Sequence, residues 1–338
     1  MTTAIPELSI IVPAYNESEN IAPLYARLVA VLEQENLTFE LIIVDDGSDD
    51  DTAKQVADLE ARDQRVRLAR FSRNFGHEAA STCGFDLARG QAVVLMDADL
   101  QDPPEVIPQL VARWREGFEV VYARRTARDG EPVLKKLTSY LFYRYFNRFS
   151  GSAIPTDVGD FRLVDRRVVE HFIQLPERNR FVRGMFSWLG FRQTVVDFHR
   201  APRHAGQTKY NYFKLFWLSF EAISSFSIAP LRLCMGIGAI VTVFAFVMAM
   251  IIVLQRLLYS IEIPGYALGT ASMFLLGGVQ LIFLGVIGEY IGKIYTQVQG
   301  RPIYILNDSP AQTQSNDNLT RKDDARSSLP DENSSSDE

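Results

Sequence analysis

Two acids and an amide at alternate positions are the first candidates for chemistry in this sequence. Asp97, Asp99 and Gln101 directly follow the apolar run Ala92–Met96. Carboxylate and amide oxygens are the ligands that a hard divalent cation prefers. A cation held there could bridge two phosphate groups and neutralise their charge. Surface turns often carry the same Asp-x-Asp spacing, so this motif alone predicts a metal site only weakly.

Two further polar motifs also follow short apolar runs. Residues 13–17 (PAYNE) follow Ile10–Val12, and residues 45–48 (DDGS) follow Ile42–Val44. Taken singly, the first could be a simple turn and the second a helix cap. All three motifs stand where a buried strand is predicted to end. Because the carboxyl ends of parallel strands meet at one edge of a sheet, we expect the motifs to line one crevice.

The elements that would position these motifs alternate along the first 125 residues. Short apolar runs predict buried parallel strands at Leu8–Val12, Leu41–Val44, Val66–Leu68, Ala92–Met96 and Val120–Tyr122. Amphipathic stretches predict helices near 18–34, 51–62, 77–89 and 104–116. This alternation predicts an α/β doubly wound, Rossmann-like sheet with ligands at the carboxyl ends of its strands.

Two long apolar stretches near the C-terminus predict a transmembrane hairpin. They cover about 233–254 and 268–290, and their uncharged cores are long enough to span a bilayer as helices. A buried helical pair in a soluble protein is the alternative. The connecting segment 259–267 has no Lys or Arg, whereas Arg232, Lys293 and Arg301 stand on the outer flanks, with Arg256 weakening the contrast. The positive-inside rule then predicts that both termini are cytoplasmic.

Three other segments complete the predicted organisation. Basic and aromatic residues near 132–149 and 210–228 predict amphipathic helices in the headgroup layer. Between Arg124 and Lys214 there are 18 Lys and Arg residues against 8 Asp and Glu, a surplus suited to lipid headgroups or phosphates. The adjoining spans favour a membrane over nucleic acid. We therefore expect a cytoplasmic domain over 1–228, two spans within 229–295, and a largely disordered cytoplasmic tail over 296–338.

The cysteine content and the N-terminus agree with a cytoplasmic domain. Cys83 and Cys234 are the two cysteines, and free thiols fit a reducing compartment. The sequence begins without a basic segment followed by a long apolar one, so we expect no signal peptide.

The motifs together resemble a known family. IIVPAYNESENI, VDDGSDD and DADLQDPPE, followed by TDVGDFRLVDRR and RAPRHAGQTKY, resemble the family 2 glycosyltransferases with the GT-A fold. With two C-terminal spans, the chain looks like the polyprenyl-phosphate glycosyltransferases related to dolichyl-phosphate mannose synthase, of the GtrB type. The resemblance covers roughly residues 7–300. It implies a GT-A catalytic domain with interfacial amphipathic helices and a C-terminal two-helix transmembrane hairpin.

The resemblance also implies roles for individual residues. The nucleotide-binding set would be Pro13, Ala14, Tyr15, Glu17, Asp46 and Asp97. Asp99 and Gln101 would bind the metal, Mg²⁺ or Mn²⁺, and Asp99 and Asp157 would be the catalytic acids. The acceptor phosphate would be held by Arg162, Arg200, Arg203 and Lys209. Arg124 joins this set because it follows the predicted strand Val120–Tyr122, where it could contact a phosphate. Relatives often carry a small residue at Asp160, so no role is extended to it.

The implied reaction is the inverting transfer of a hexose to a polyprenyl phosphate. Glucose from UDP-glucose and undecaprenyl phosphate are the expected substrates, for cell-surface glycan modification at the cytoplasmic face of the plasma membrane. Mannose or aminoarabinose donors are alternatives, and a polysaccharide synthase or a non-catalytic membrane scaffold are less favoured ones. Because a lipid phosphate is already anionic, Asp157 could act as a base or only orient substrate. The resemblance further implies a homo-oligomer, with a tetramer as the candidate.

Overall fold

The computed structural model describes residues 5–125, 158–198, 229–259 and 266–307, which form a sheet flanked by helices and a pair of long C-terminal helices. The strands are β1 (Leu8–Ala14), β2 (Phe39–Asp45), β3 (Val66–Arg70), β4 (Ala92–Leu95), β5 (Val120–Arg125), β6 (Val158–Asp165) and β7 (Gln193–Phe198). The helices are α1 (Ser18–Gln34), α2 (Thr52–Arg62), α3 (His77–Leu87), α4 (Ile107–Arg115), α5 (Arg166–Ile173), α6 (Val182–Trp188), α7 (Ala229–Tyr259) and α8 (Tyr266–Gln299). A short 3₁₀ turn, Pro104–Val106, precedes α4.

The strands form one mixed sheet in the described part of the chain, in the order β3-β2-β1-β4-β6-β5-β7. β1 pairs in parallel with both β2 and β4, and β2 pairs in parallel with β3. β6 runs antiparallel to β4 and β5, while β7 is parallel to β5. The five predicted strands are confirmed and run parallel to one another, while β6 is an additional antiparallel strand between β4 and β5 that was not predicted.

β6 was not predicted because charged residues interrupt its apolar pattern. Asp160 and Arg162 interrupt its apolar residues, yet both are buried in the sheet. Charges tolerate burial only when they are paired, and pairing depends on residues far away in the chain. A pattern of local hydrophobicity therefore cannot find this strand.

Helices cover both faces of the sheet, so successive residues of the central strands enter different cores. Ile10 and Val12 of β1 pack into one cluster with residues of α1 and α4. Ile11 packs into the other, with residues of α3, α5 and α6. On that second face α3 approaches β1 so closely that a Cβ at Gly84 would collide with the Ile11 side chain. Burial on both faces explains why β1 is a continuous apolar run.

The two C-terminal helices are long and apolar enough to cross a membrane. The window Leu231–Met248 in α7 has a mean hydropathy of 2.2, and Leu275–Gln299 in α8 has 1.6. Neither window is buried against the rest of the described protein, which argues against a soluble helical core. The helices extend beyond the predicted spans at both ends, because backbone hydrogen bonding continues after the apolar sequence stops. This pair agrees with a membrane-associated protein.

The predicted interfacial helices at 132–149 and 210–228 and most of the tail lie outside the described residues. These expectations stay predictions. Residues 296–307 of the predicted tail are described: residues 296–299 continue α8, and residues 303–307 lie against the sheet.

Candidate active site

The loops after β1 and β2 are held together at the carboxyl edge of the sheet. The Asp46 amide donates to the Ala14 carbonyl at 2.9 Å. The Asn16 amide donates to Ser48 Oγ at 2.9 Å, and the Asp49 amide donates to Asn16 Oδ1 at 2.9 Å. Asn16 has a φ of 55°, a left-handed conformation that asparagine tolerates. The two predicted nucleotide motifs therefore form one connected surface.

The predicted nucleotide residues occupy different positions in that surface. Pro13 and Ala14 are buried at the end of β1, whereas Tyr15 is exposed. Glu17 is half-buried and accepts a hydrogen bond from the Asn20 amide group at 2.5 Å. Among these four residues, Tyr15 offers the largest accessible surface for a ligand.

Asp46 is engaged by the backbone of the loop after β3. Its carboxylate accepts hydrogen bonds from the Phe75 amide at 2.6 Å and the Gly76 amide at 2.9 Å. Burial raises the pKa of Asp46, although these two hydrogen bonds oppose the shift. In this structure Asp46 shapes the loop between β3 and α3, and its contact with a nucleotide stays a prediction.

The acidic motif forms a tight turn after β4. Leu100 has a φ of 60°, and the Gln101 amide donates to Asp99 Oδ1 at 3.1 Å. Asp97 and Asp99 are half-buried, and Gln101 is buried. The turn thus holds the side-chain oxygens of the motif at the edge of the sheet that carries the β1 and β2 loops.

Asp102 is a buried acid next to this turn that the sequence analysis did not single out. Its Oδ2 accepts from the Asp97 amide at 3.3 Å, and Arg125 lies 3.4 Å from its Oδ1. Burial and the neighbouring Asp97 charge raise the pKa of Asp102 to about 7. Asp97 and Asp102 are therefore crowded beneath the turn, and a cation bound nearby would favour their ionised forms.

A second acid, Asp160 at the start of β6, meets the acidic turn through His77. His77 Nε2 lies 3.8 Å from Asp97 Oδ1 and 3.6 Å from Asp160 Oδ2. Burial lowers the pKa of His77, but the Asp160 hydrogen bond and the Asp97 charge raise it overall, to about 9. The imidazole therefore links the two carboxylates as a cation when no metal is bound.

These three residues have the spacing of a metal site. Ligand atoms of His77, Asp97 and Asp160 lie within 4.8 Å of one another. One imidazole nitrogen and two carboxylate oxygens suit Mn²⁺, whereas Mg²⁺ prefers oxygen ligands alone. The donor set fits a divalent cation, and it differs from the predicted pair Asp99 and Gln101, which stays a prediction.

Two arginines balance the buried charge of Asp160. Arg183 donates to both carboxylate oxygens, at 2.8 and 2.6 Å, and Arg162 Nη2 donates to Oδ1 at 3.1 Å. Burial by itself would raise the pKa of Asp160, but the Arg183 charge and hydrogen bonds hold it well below its usual range. Asp160 is therefore ionised at neutral pH.

The structure places Arg162 inside the protein, and its predicted contact with an acceptor phosphate stays a prediction. Its side chain is fully buried and donates to the carbonyls of Asp160 and Gly159 at 2.9 and 3.1 Å. The guanidinium also lies 5.4 Å from the centre of the Tyr122 ring. Its described hydrogen bonds support Asp160 and the start of β6 from inside the protein. A single sequence shows that Arg162 is charged but not which way it points.

The remaining acceptor-side predictions are only partly described. Arg124 lies near the end of β5, and its Nε and Nη2 donate to Asp197 Oδ1 and Oδ2 of β7 at 2.6 and 2.9 Å. Both side chains are exposed, so this pair is a weak one that a phosphate could displace. Asp157, Arg200, Arg203 and Lys209 lie outside the described residues.

Sequence reasoning assigned no site role to Asp160, Arg183, Asp102 or His77. Asp160 stands in the DFR run of a motif that was recognised, so its charge was a usable signal. Arg183 carried no local signal, because its pairing with Asp160 spans 23 residues of sequence.

Beside the acidic crevice is an open cavity of about 430 Å³. It is lined by Tyr15, Gly47, Ser48, Asp49, Arg70, Phe71, Ser72, Arg73, Asn74 and Asn307. Nine of these residues follow or end β1, β2 and β3, and Asn307 comes from the segment after α8. The cavity is polar, and its position next to the predicted nucleotide motifs suits the nucleoside part of a ligand.

Comparison with known proteins agrees with this fold. Residues 9–173 match glycosyl transferase family 2, and residues 229–294 match the GtrB C-terminal hairpin. The chain belongs to glycosyl transferase family 2, has the GT-A fold, and carries the GtrB-type hairpin.

Individual relatives resemble the chain over nearly their whole length. It is 47% identical over 302 residues to the uncharacterized glycosyltransferase sll0501 of Synechocystis sp., covering 89% of this chain and 95% of that protein. It is 42% identical over 303 residues to the SfII prophage-derived bactoprenol glucosyl transferase of Shigella flexneri, covering 90% and 98%. It is 40% identical over 300 residues to the prophage bactoprenol glucosyl transferase homolog of Escherichia coli, covering 89% and 98%.

Proposed function

We propose that this protein transfers glucose from UDP-glucose to the phosphate of a polyprenyl phosphate, undecaprenyl phosphate in particular. The observation that carries the proposal is the extent of its similarity to the bactoprenol glucosyl transferase of Shigella flexneri. The alignment covers 98% of that protein and so includes both the acidic crevice and the apolar hairpin. A soluble donor and a lipid acceptor require these two parts together.

In this reaction the site must bind two anions next to each other, the phosphate of the lipid and the diphosphate of the donor. An oxygen of the lipid phosphate attacks the anomeric carbon, the bond from that carbon to the UDP oxygen breaks, and UDP leaves with the electron pair. A single displacement of this kind inverts the anomeric configuration. The attacking phosphate is already ionised at neutral pH, so a strong general base is not needed. Charge balance is therefore the main task of the protein.

On the donor side, His77, Asp97 and Asp160 would hold the divalent cation, with Asp99 and Gln101 beside them. When bound, Mg²⁺ or Mn²⁺ supplies positive charge to the diphosphate of the donor. Arg183 keeps Asp160 ionised and fixed in position. Tyr15 and the neighbouring cavity would receive the nucleoside.

On the acceptor side, we assign Arg200, Arg203 and Lys209 to the lipid phosphate, together with Arg124. Asp157 would orient the acceptor or the sugar. Arg162 is left out of this set because its guanidinium is buried. The catalytic domain and both termini would lie on the cytoplasmic side, and self-association of the hairpin into an oligomer, such as a tetramer, would be compatible with its exposed apolar faces.

Mannose and aminoarabinose donors would use the same reaction. A polysaccharide synthase is disfavoured, because the sequence has no Gln-x-x-Arg-Trp motif and the hairpin alone cannot enclose a polymer channel. A non-catalytic scaffold would not require the arrangement of acids, histidine and arginines around the crevice.

A transfer assay with purified full-length protein in detergent tests the proposal. We expect radiolabel from UDP-glucose to enter the organic phase when undecaprenyl phosphate and Mn²⁺ or Mg²⁺ are present. Undecaprenol, which lacks the phosphate, is the matched control and should remain unlabelled. EDTA should abolish labelling, and added metal should restore it.

A panel of nucleotide sugars in the same assay separates the alternatives. Label from GDP-mannose or UDP-aminoarabinose, but not from UDP-glucose, would replace the donor in the proposal. The absence of lipid label with every donor, from protein that binds UDP, would contradict the proposed acceptor.

A further inference from the structure

The chain that leaves the second apolar helix returns to the catalytic domain. Gly300, with a φ of 63°, follows the end of α8. Just before it, the Gln297 side chain accepts from the Arg178 amide and donates to the Pro176 carbonyl, both at 2.8 Å. These contacts fasten the end of α8 to the loop between α5 and α6. The segment that follows is therefore directed towards the sheet.

Residues 303–307, which we name the docking strand, lie along the edge of the sheet at the end of β3. Leu306 forms an antiparallel bridge with Phe71. The Ser72 amide donates to the Ile305 carbonyl at 3.0 Å, and the Asn307 amide donates to the Arg70 carbonyl at 2.7 Å. Because β3 is an edge strand, these hydrogen bonds extend the sheet beyond it.

Side chains reinforce this docking. The ring of Tyr304 stacks on that of Phe71, with centroids 5.1 Å apart and planes 9° apart. The Tyr304 hydroxyl donates to Asp86 Oδ2 of α3 at 2.8 Å. Ile303 and Leu306 pack against the core on the same face of the sheet. A strand anchored by hydrogen bonds, stacking and apolar packing is well placed to position a functional group.

The docking strand ends at the polar cavity beside the crevice. Asn307 lines this cavity together with Tyr15, Ser48 and Arg70. The opposite loop is tightly packed, since a Cβ at Gly47 would lie 2.5 Å from the Arg73 carbonyl carbon. The cavity wall therefore has contributions from both ends of the described chain.

We propose that Asn307, held at the end of the docking strand, completes the donor site and that its side chain binds the base of the nucleotide. A carboxamide both donates and accepts hydrogen bonds. The edge of a uracil ring presents carbonyl acceptors and an imide donor, so the two groups are complementary. Asn307 is exposed and available to a ligand in the cavity. This inference rests on the proposed nucleotide-sugar donor and adds a binding residue from outside the family 2 domain.

Titration of UDP into full-length protein in detergent, with Mn²⁺ present, tests this binding role. Asn307→Ala should raise the Kd for UDP by about 3- to 10-fold, as expected for one neutral hydrogen bond. Ile305→Ala is the matched control, because it shortens a half-exposed side chain in the same strand and keeps the carbonyl that binds Ser72. Its Kd for UDP should equal that of the wild type.

Transfer kinetics give an independent readout. Asn307→Ala should raise the KM for the sugar donor by a similar factor and leave the KM for polyprenyl phosphate unchanged. A variant ending at Asp308 retains the docking strand and should match the wild type in both values.

The outcomes distinguish this inference from the proposed function. An unchanged Kd for UDP in Asn307→Ala would overturn the assignment of Asn307, and so would an equal rise in Asn307→Ala and Ile305→Ala. If wild-type protein binds UDP but transfers no sugar to the lipid, the proposed function fails while the Kd comparison still decides the role of Asn307. Wild-type protein that binds no UDP would overturn both.

Discussion

Asp160 lies where two arginines and a histidine meet, and its charge balance organises the site. Arg183 and Arg162 bind its oxygens directly, while His77 joins it to Asp97. Removing one partner from a buried ionic cluster leaves an unpaired charge, which costs about 3–5 kcal/mol. The cluster therefore links the stability of β6 to the geometry of the crevice.

At the residue scale, we predict that Asp99→Ala lowers the rate of glucose transfer by about 100-fold or more at saturating substrates. The cause would be loss of a carboxylate next to the bound cation. The test compares kcat of the variant with kcat of the wild type at several Mn²⁺ concentrations. Asp51→Ala removes an exposed acid from the same edge of the sheet and should retain full activity. Wild-type kcat in Asp99→Ala would show that Asp99 has no part in metal binding.

At the scale of the elements, close packing of α3 on β1 holds His77 next to the acidic turn. Gly84 allows this approach, because any larger residue would overlap the Ile11 side chain. His77 begins α3, and Asp97 follows β4, which pairs with β1. The distance between these two site residues is therefore set by helix-on-sheet packing.

We predict that Gly84→Ala destabilises the protein despite the better helix propensity of alanine. The higher helix propensity of alanine would raise the free energy of unfolding by about 1 kcal/mol. Overpacking the core would lower it by about 1–3 kcal/mol. The steric cost should prevail and lower the thermal unfolding midpoint by a few degrees, about 2–4 °C per kcal/mol. Gly292→Ala in α8 is the control, because a Cβ there meets nothing within 4 Å. An unfolding midpoint unchanged or raised by Gly84→Ala would show that β1 and α3 move apart freely.

At the scale of the whole molecule, one chain passes from the catalytic domain through the hairpin and back to the catalytic domain. α7 and α8 are 31 and 34 residues long, or about 46 and 51 Å at 1.5 Å per residue. The hydrocarbon core of a bilayer is about 30 Å thick, so the helices are long enough to extend beyond it. The extra length of α8 leads to the docking strand beside the donor cavity.

This organisation predicts that the segment between α7 and α8 lies on the outer side of the membrane. In a background of Cys83→Ser and Cys234→Ser, Ser260→Cys should react with a membrane-impermeant maleimide in intact cells. Ser327→Cys in the tail should react only after the membrane is permeabilised. The reverse labelling pattern would contradict cytoplasmic termini.

The sequence by itself predicted those helices and strands whose type follows from the pattern of neighbouring residues. Continuous apolar runs marked the five predicted strands, helical periodicity marked α1 to α4, and uncharged stretches marked the cores of α7 and α8. The order of these elements was enough to predict that the PAYNE, DDGS and acidic motifs lie together at the carboxyl edge of the sheet. Parallel strands with crossover helices leave few other arrangements.

Tertiary structure alone decided the features that depend on distant partners. β6 is a strand because Asp160 and Arg162 are paired inside the protein, and Arg162 faces inward because those partners lie there. His77 reaches Asp160 across a separation that no local pattern encodes. Leu306 of the docking strand pairs with Phe71, and Tyr304 of the same strand binds Asp86 at a separation of 218 residues. Hydrogen bonding and charge pairing act through space, so a linear pattern of residue types cannot specify them.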